Sequence, residues 1–209
     1  MTDGKAGEIA VRPAPGHRPL MRRIGLADEA LPQGGGWYPN DQVLDATLDR
    51  LADRKDQHVA VLGGGLAAAI LARGLGDCGT VWVVEHDPQV IEITLGMLER
   101  SGGRAGVRII EAELQDYDQH TLWYDRRAVS ELPDSLDLIF IDGPPHFCGR
   151  MPRYPAGPEL FHKLSPDGSV VLDKASRAKE KKTLTRWTGE FPHLAQQKLK
   201  GGAVLLSAR

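Results

Sequence analysis

The sequence predicts an α/β fold in which a mostly parallel sheet lies between two layers of helices, a three-layer αβα sandwich. Short apolar runs alternate along the chain with segments of helical periodicity. Strands that alternate with helices form βαβ crossovers, which place helices on both faces of a parallel sheet. The run LDLIFI is typical of a strand buried on both sides. The predicted strands cover residues 58–62, 80–84, 107–110, 136–141, 169–172 and 203–206.

Helices are predicted before and between these strands. Asn40 is a suitable N-cap, and apolar residues follow it at helical spacing from Val43 to Leu51. Residues 113–135 carry no clear pattern. The other helical patterns cover residues 66–75, 88–100, 153–164 and 177–190.

The length of 209 residues predicts one domain, which we expect to cover residues 37–209. Residues 1–36 show no apolar period, contain four prolines and end in three consecutive glycines. We predict that they form a flexible, solvated arm. A segment that folds over a ligand or a partner subunit is the alternative. The arm, together with a final strand exposed at the sheet edge, also predicts a homodimer.

Composition excludes several classes of protein. Lys and Arg number 26 and Asp and Glu number 28, so the chain has no global cationic field for nucleic acid. Two cysteines cannot build a disulfide framework, and no run of 18 apolar residues predicts a transmembrane helix. The N-terminus lacks the apolar region of a signal peptide. We therefore predict a cytoplasmic protein with a small-molecule substrate and no nucleic-acid or membrane partner.

Charge is unevenly distributed along the chain. Residues 37–173 carry 12 basic and 22 acidic side chains, whereas residues 174–200 carry eight basic and two acidic ones. A solvated helix face is the usual explanation for such a basic segment. An anionic ligand is the alternative, because the segment begins where a predicted strand ends.

The first candidate site is a glycine turn between a predicted strand and helix, VAVLGGGLAAAI at residues 59–70. Gly63, Gly65 and Ala68 also fit the pattern G-x-G-x-x-A, which is typical of dinucleotide binding. This geometry brings the backbone close to a ligand and aims helix N–H groups at it. A tight turn without a ligand is the alternative.

The second signal is Glu85, which ends the next predicted strand 22 positions after Gly63. A carboxylate at this offset can accept hydrogen bonds from both ribose hydroxyls of an adenosine. A surface charge without a ligand is the alternative.

A third motif, LDLIFIDGPP at residues 136–145, ends a strand in Asp142 and Gly143. With the glycine turn and Glu85, it resembles the class I S-adenosylmethionine-dependent methyltransferase family. The similarity continues over RYPAGPELFHKLSPDGSVVLDKASRAKEKKTLTRW and covers about residues 55–209. It implies a Rossmann-like, doubly wound sheet of about seven strands with an antiparallel C-terminal strand. The glycine turn alone is also similar to aminopropyltransferases of the spermidine synthase type.

The resemblance implies that S-adenosylmethionine is the cofactor. Its methionine part would contact the glycine turn, its ribose Glu85, and its adenine His86 or Asp87. Asp142 would face the sulfonium and the substrate, with Asp173 opposite it across the cleft. The implied cofactor-binding residues are Gly63, Gly64, Gly65, Glu85, His86 and Asp142.

Two features depart from the family pattern. The acidic residue usual in the first strand or its turn is absent at Val61, Leu62 and Gly63, and alanines replace the small polar residues after the glycines. Lys174 follows Asp173 where related sequences often carry Asp or Asn. Because an ammonium group discourages a divalent cation, we predict no metal site.

If the acceptor is a hydroxyl, a base helps methyl transfer, and the candidates are Asp142, His146 and Asp173. A solvated loop histidine is the alternative for His146. Lys174 and Arg177 are candidates for orienting an anionic substrate. Trp37 and Tyr38 lie where the predicted arm joins the fold, and they could cover the ligand. Core packing is the simpler interpretation of Trp37.

The predicted function is therefore methyl transfer from S-adenosylmethionine to a small polar molecule, with an oxygen atom as one option for the acceptor. The alternatives are a non-catalytic or repurposed nucleotide-binding protein on the same fold and an aminopropyltransferase-like enzyme. A nicotinamide or flavin domain would explain the glycine turn but not the DGPP motif.

Overall fold

A computed structural model describes residues 17–27, 30–31, 37–52, 54–104 and 106–209. The helices are α1 (His17–Arg23), α2 (Asp41–Leu51), α3 (Leu66–Leu75), α4 (Pro88–Ser101), α5 (Arg126–Val129), α6 (Ala156–Leu160) and α7 (Ala178–Glu190). The strands are β1 (Gln57–Leu62), β2 (Gly79–Glu85), β3 (Val107–Glu111), β4 (Leu114–Asp118), β5 (Thr121–Tyr124), β6 (Leu136–Ile141), β7 (Leu164–Leu172), β8 (Leu194–Lys198) and β9 (Val204–Ala208).

Seven strands form one sheet in the order β3-β2-β1-β6-β7-β9-β8. All neighbours pair in parallel except β9, which is antiparallel to both β7 and β8. The predicted doubly wound, mostly parallel sheet with an antiparallel C-terminal strand is confirmed. The expectation that this strand lies exposed at the edge is wrong, because β8 covers it. Sequence patterning missed β8, since four of its five residues face solvent. Homodimer formation stays a prediction.

The sheet separates two hydrophobic cores, as the αβα prediction requires. Alternate residues of β6 face opposite sides: Leu138 and Phe140 pack into one core, Ile139 and Ile141 into the other. Helices α1 to α4 cover the first face. The β4-β5 hairpin and helices α6 and α7 cover the second. Within the described residues, no helix is long and apolar enough to cross a membrane.

Helix α1 contradicts the interpretation of residues 17–27 as solvated and irregular. Leu20, Met21 and Ile24 are buried in the first core, and Leu31 joins them. Arg23 binds Asp45 on α2 at 2.6 Å, which fastens α1 to the domain. The apolar patch is short, and prolines and basic residues surround it, so the sequence shows no helical period there. Residues 1–16, 28–29 and 32–36 of the predicted arm lie outside the described residues.

Two further segments differ from the sequence expectation. Residues 113–135, which showed no pattern, contain the β4-β5 hairpin and the single turn α5. The predicted helix over residues 153–164 is shorter: α6 covers five residues and a 3-10 turn follows over Phe161–Lys163. The chain then enters β7 at Leu164, five residues before the predicted start of this strand at Ser169. The prediction missed this beginning because residues 165–168, Ser-Pro-Asp-Gly, carry no strand pattern.

Candidate active site

The candidate site lies at the carboxyl edge of the sheet. The chain runs from β1 outward to β3 on one side and continues from β6 on the other, so β1 and β6 flank the point where the strand order reverses. In open α/β sheets, ligands bind at this switch point, outside the carboxyl ends of the strands. Four strand ends meet there and place the predicted groups together: the glycine turn after β1, Glu85 at the end of β2, Asp142 after β6 and Asp173 after β7.

The glycine turn touches the turn after β6. Gly63 has a φ of 98°, and a Cβ atom there would lie 2.9 Å from the backbone nitrogen of Gly143. Only glycine permits both the left-handed backbone and this contact. The two motifs, 80 residues apart in sequence, therefore form one continuous floor of the site.

We expected the N–H groups of the turn to point at a ligand, but they are bonded within the protein. Gly63 donates to the Val84 carbonyl at 2.9 Å and Gly64 to Glu85 Oε2 at 2.8 Å. Gly65 donates to Thr94 Oγ1 at 2.7 Å. Thr94 is fully buried on α4, and sequence reasoning missed it because a lone threonine in a helix carries no signal. Close approach of the backbone, rather than free N–H donors, is what this turn offers.

Glu85 is 4% exposed, yet its carboxylate is well supplied with donors. Besides Gly64, the backbone N–H groups of His86 and Asp87 donate to Oε1 at 2.6 and 3.0 Å. The His86 ring nitrogen Nδ1 lies 2.6 Å from the same oxygen. Burial alone would raise the pKa of Glu85, but these hydrogen bonds outweigh it and lower the pKa. The group is an ionised acceptor at the rim of the cleft.

Lys174 joins the two aspartates that the sequence placed opposite one another. Its Nζ lies 2.7 Å from Asp142 Oδ1 and 3.0 Å from Asp173 Oδ2. It also donates to the Trp37 carbonyl at 2.8 Å. Lys174 has a φ of 53°, a conformation that costs a side-chain-bearing residue about 1 kcal/mol and is concentrated at functional sites.

Arg153 is a site residue that sequence reasoning did not single out. It is buried on the loop before α6 and donates to both the backbone carbonyl and Oδ1 of Asp142 and to the carbonyl of Asp173. Its Nε lies 3.8 Å from the buried Glu180 on α7. Arg153 is the first residue of the RYPA motif, and its place between Pro152 and Tyr154 is the signal that could have indicated a buried arginine.

Asp173 lies behind Lys174 rather than on the cleft wall. It is 1% exposed and is not among the residues that line the cleft. Burial, followed by the neighbouring Asp142, raises its pKa, whereas Lys174 lowers it. Its geometry suits a group that holds Lys174 in place, which is not the direct catalytic contact we predicted.

The cleft has an enclosed volume of about 130 Å³. His146 and Arg177 line it, as expected. Tyr38 does not line it but lies near the glycine turn, where its ring would be 3.5 Å from a Cβ atom added at Gly65. Trp37 lines the mouth and is 63% exposed, so core packing is not its role. The full lining set is Trp37, Gly63, Gly64, Glu85, His86, Asp87, Val90, Asp142, Gly143, Pro145, His146, Phe147, Arg153, Lys174 and Arg177.

The loop that carries His146 is held by a lysine from α7. Lys179 Nζ donates to the carbonyls of His146 and Gly149 at 2.6 and 2.5 Å. Phe147, 68% exposed at the cleft mouth, packs edge-on against His146. The sequence placed Lys179 only within the basic segment 174–200, and the tertiary structure shows that it fixes this loop.

Among the described residues, no three or more His, Cys, Asp or Glu side chains come together as a metal site. The space between Asp142 and Asp173 is taken by the ammonium group of Lys174.

Comparison with solved structures identifies the fold. Precorrin-6Y C5,15-methyltransferase from Geobacter metallireducens superposes with a TM-score of 0.63 at 17% identity, over 90% of this chain and 97% of that chain. A candidate O-methyltransferase from Klebsiella pneumoniae gives 0.57 at 19%, over 96% and 92%. A methyltransferase from Podospora anserina bound to S-adenosylhomocysteine gives 0.56 at 14%, over 81% and 77%.

The chain therefore has the fold of class I S-adenosylmethionine-dependent methyltransferases, and the resemblance seen in the sequence is confirmed at the level of the fold. No protein-family model and no curated protein matches the sequence itself.

Proposed function

We propose that this protein transfers a methyl group from S-adenosylmethionine to a small molecule. The observation that carries the proposal is the polarity of the cleft. An ionised carboxylate, Glu85, stands at the end of β2, and a clamped carboxylate-ammonium pair, Asp142 and Lys174, stands across the floor. Both lie at the switch point of a sheet whose structural relatives include methyltransferases.

The residues present fit the adenosine part of this cofactor. Each carboxylate oxygen accepts two hydrogen bonds, so Glu85 Oε2 keeps capacity for a ribose hydroxyl beside the Gly64 contact. The floor at Gly63 leaves no side chain between ligand and backbone. Ligand pockets usually hold roughly 300–1,000 Å³. The enclosed 130 Å³ therefore holds only part of the cofactor, and the remainder would lie at the mouth beside Trp37 and Phe147.

When bound, S-adenosylmethionine supplies an activated methyl group on a sulfonium, which an acceptor atom displaces in line. The contribution of the protein is then mainly positioning and exclusion of water. Lys174 and Arg153 hold the Asp142 carboxylate in one place on the cleft floor. Because these two cations balance its charge, the Asp142 carboxylate offers a fixed hydrogen-bond acceptor for an acceptor hydroxyl.

His146 is the proposed general base for an acceptor that must lose a proton. It lines the cleft on the loop fixed by Lys179, and an unprotonated imidazole nitrogen can accept a proton from an acceptor group. Asp173 is a positioning residue that acts through Lys174, because it does not line the cleft. Arg177 is the proposed contact for an anionic part of the substrate. The sequence also suggested Lys174 for this role, but its ammonium group already faces Asp142, Asp173 and the Trp37 carbonyl.

Calorimetric titration with S-adenosylhomocysteine tests the proposal. We expect the native chain to bind and Glu85→Gln to bind about 10- to 100-fold more weakly, because a hydrogen bond to a charged group is worth about 1.5–3 kcal/mol. Glu92→Gln, an exposed change on α4, is the matched control and should bind normally. Absence of binding by the native chain would refute the proposal. Equal losses in both variants would refute the role of Glu85.

A non-catalytic nucleotide-binding protein on the same fold is the second candidate. The absence of an acidic side chain at Val61, Leu62 and Gly63 favours it, since nothing there would hold the amino group of the cofactor. The His146→Gln variant separates the two candidates. If the protein is an enzyme, the variant should lose at least 10-fold in turnover and keep its affinity for S-adenosylhomocysteine. If it is a binding protein, neither the native chain nor the variant should transfer a methyl group to any acceptor tested.

A further inference from the structure

A second concave region lies beside the cleft, between α7 and the β8-β9 hairpin. We call it the hairpin groove. Its volume is about 520 Å³, four times the enclosed volume of the cleft. It is lined by Ala175, Ser176, Lys181, Leu184, Gln196, Lys198, Leu199, Gly202, Ala203 and Val204.

The hairpin groove has an apolar floor and a basic rim. Leu184, Ala203 and Val204 are buried at its base, whereas Lys181 and Lys198 are exposed at its edge. None of its lining residues is acidic. Within the described part of the chain, neither lysine has an ion-pair partner among the salt bridges of the protein. An apolar body with an anionic group matches this surface in both respects.

The walls of the hairpin groove are held in place without a ligand. Gln196 on β8 donates to the Leu184 carbonyl at 3.1 Å and to Thr188 Oγ1 at 2.8 Å, which ties the edge strand to α7. At the hairpin tip, Gly201 has a φ of 90°, and its Cβ position lies 2.9 Å from Val43 on α2. The tip therefore packs against the helix beneath it, and the groove is preformed.

One turn separates the hairpin groove from the cleft. Lys174 and Arg177 line the cleft, and the two residues between them, Ala175 and Ser176, line the groove. Both regions lie at the carboxyl edge of the sheet, since the turn follows β7 directly. A ligand with its reacting atom beside Lys174 can therefore extend over Ser176 into the groove.

We propose that the hairpin groove binds the non-reacting part of the methyl acceptor, and that the acceptor is an amphipathic anion. Its apolar body would lie on Leu184 and Val204, and its carboxylate or similar group would face Lys181 and Lys198. This inference rests on the proposed methyl transfer for the identity of the ligand as acceptor. The chemical class of the ligand rests on the groove alone.

Straight-chain carboxylates probe the ligand class, measured by calorimetry on the full chain. Affinity should rise about fourfold per added methylene from hexanoate to decanoate, the factor that corresponds to about 0.8 kcal/mol. Decanol should bind at least 10-fold more weakly than decanoate, because it lacks the charge. Saturable binding of none of the acids, or equal binding of decanol and decanoate, would overturn the inference.

Three variants locate the site. The double change Lys181→Gln and Lys198→Gln should weaken decanoate binding about 10-fold, and Ser176→Trp, at an exposed position, should block the groove. Lys182→Gln, also exposed on α7 but outside the groove, should leave binding unchanged. A loss of similar size in Lys182→Gln, or an unaffected double variant, would show binding elsewhere and overturn the assignment.

Saturating S-adenosylhomocysteine distinguishes this inference from the proposed function. If the groove holds the acceptor, decanoate affinity should change at least threefold in its presence, because both ligands meet at the turn 174–177. An unchanged affinity would overturn the acceptor role. Binding of S-adenosylhomocysteine without decanoate refutes only the groove, and binding of decanoate without S-adenosylhomocysteine refutes only methyl transfer.

Discussion

Replacement of Lys174 tests the charge arrangement on the cleft floor. Its ammonium group lies 2.7 Å from Asp142 Oδ1 and 3.0 Å from Asp173 Oδ2, and Asp173 is almost fully buried. Lys174→Met keeps most of the apolar stem and removes the charge. The two carboxylates then share the site with Arg153 as the remaining nearby cation.

The expected cost follows from leaving a buried charge unpaired. Removing one partner of a buried ion pair destabilises a protein by about 3–5 kcal/mol. Asp142 keeps its contact with Arg153, so we expect the lower end, about 3 kcal/mol at pH 7.5. The second change Asp173→Asn removes the orphaned charge with little change of shape. The double variant should therefore recover at least half of the lost stability, roughly 1.5 kcal/mol.

The cost should also shrink as the pH falls. Burial, then Asp142, raises the pKa of Asp173 in the folded protein, and Lys174 lowers it, so the variant raises it further. A carboxyl whose folded pKa lies above its unfolded value holds a proton that the unfolded chain has lost. Its contribution to stability therefore declines as the pH rises from about 4 through the folded pKa. Lys174→Met should lose less stability at pH 5 than at pH 7.5.

Urea unfolding measures both effects, followed by the fluorescence of tryptophans such as the buried Trp187. Lys182→Met, an exposed change on α7, serves as the control and should stay within 0.5 kcal/mol of the native protein, roughly the limit for surface substitutions. A loss below about 1 kcal/mol, or a loss independent of pH, would refute the idea that Lys174 balances a buried carboxylate pair. So would a double variant less stable than Lys174→Met alone.

Three further predictions concern packing and burial. Gly143→Ala should destabilise the protein by roughly 1–3 kcal/mol in urea unfolding, because its Cβ would overlap the Tyr124 hydroxyl; a neutral result contradicts this packing. Thr94→Val should cost about 1–3 kcal/mol, since it orphans the buried Gly65 N–H, whereas Thr185→Val on the exposed face of α7 should cost less than 1 kcal/mol. In thiol titration with a colorimetric disulfide reagent, exposed Cys78 should react at least 10-fold faster than Cys148, which is buried and whose pKa is raised by burial; equal rates would refute that burial.

Much of the fold was predictable because local hydrophobic patterns in the sequence indicate most of its strands and helices. Five of the six predicted strands begin and end within two residues of observed ones, since runs such as 136–141 are apolar on both faces. The exception is β7, in which Ser165, Pro166, Asp167 and Gly168 show no strand pattern before the predicted start at Ser169. The sequence did not predict β8 or α1, for two different reasons. Strand β8 is polar because it lies at the sheet edge, and α1 is too short to show a helical period.

The site was predictable in its carboxylates and in two of its cations, Lys174 and Arg177, but not in Arg153 and Lys179. Glu85 ends a strand, and Asp142 and Asp173 each follow one. Because the carboxyl ends of parallel strands share one edge of the sheet, the proximity of these carboxylates follows from topology. Arg153 and Lys179 come from a loop and a helix, where no such rule places a side chain. Their long side chains reach the site only because α6 and α7 pack over β6 and β7.

The sequence by itself determined the class of fold, the strand ends that carry site residues, and the acidic groups at those ends. It could do so because hydrophobic periodicity and glycine turns are local properties. Only the tertiary structure decided which N–H groups the glycine turn has left, where Lys174 puts its charge, and that a basic, apolar groove adjoins the cleft. Those outcomes depend on distances between residues far apart in the chain, such as the 2.7 Å between Lys174 and Asp142, and no local pattern encodes them.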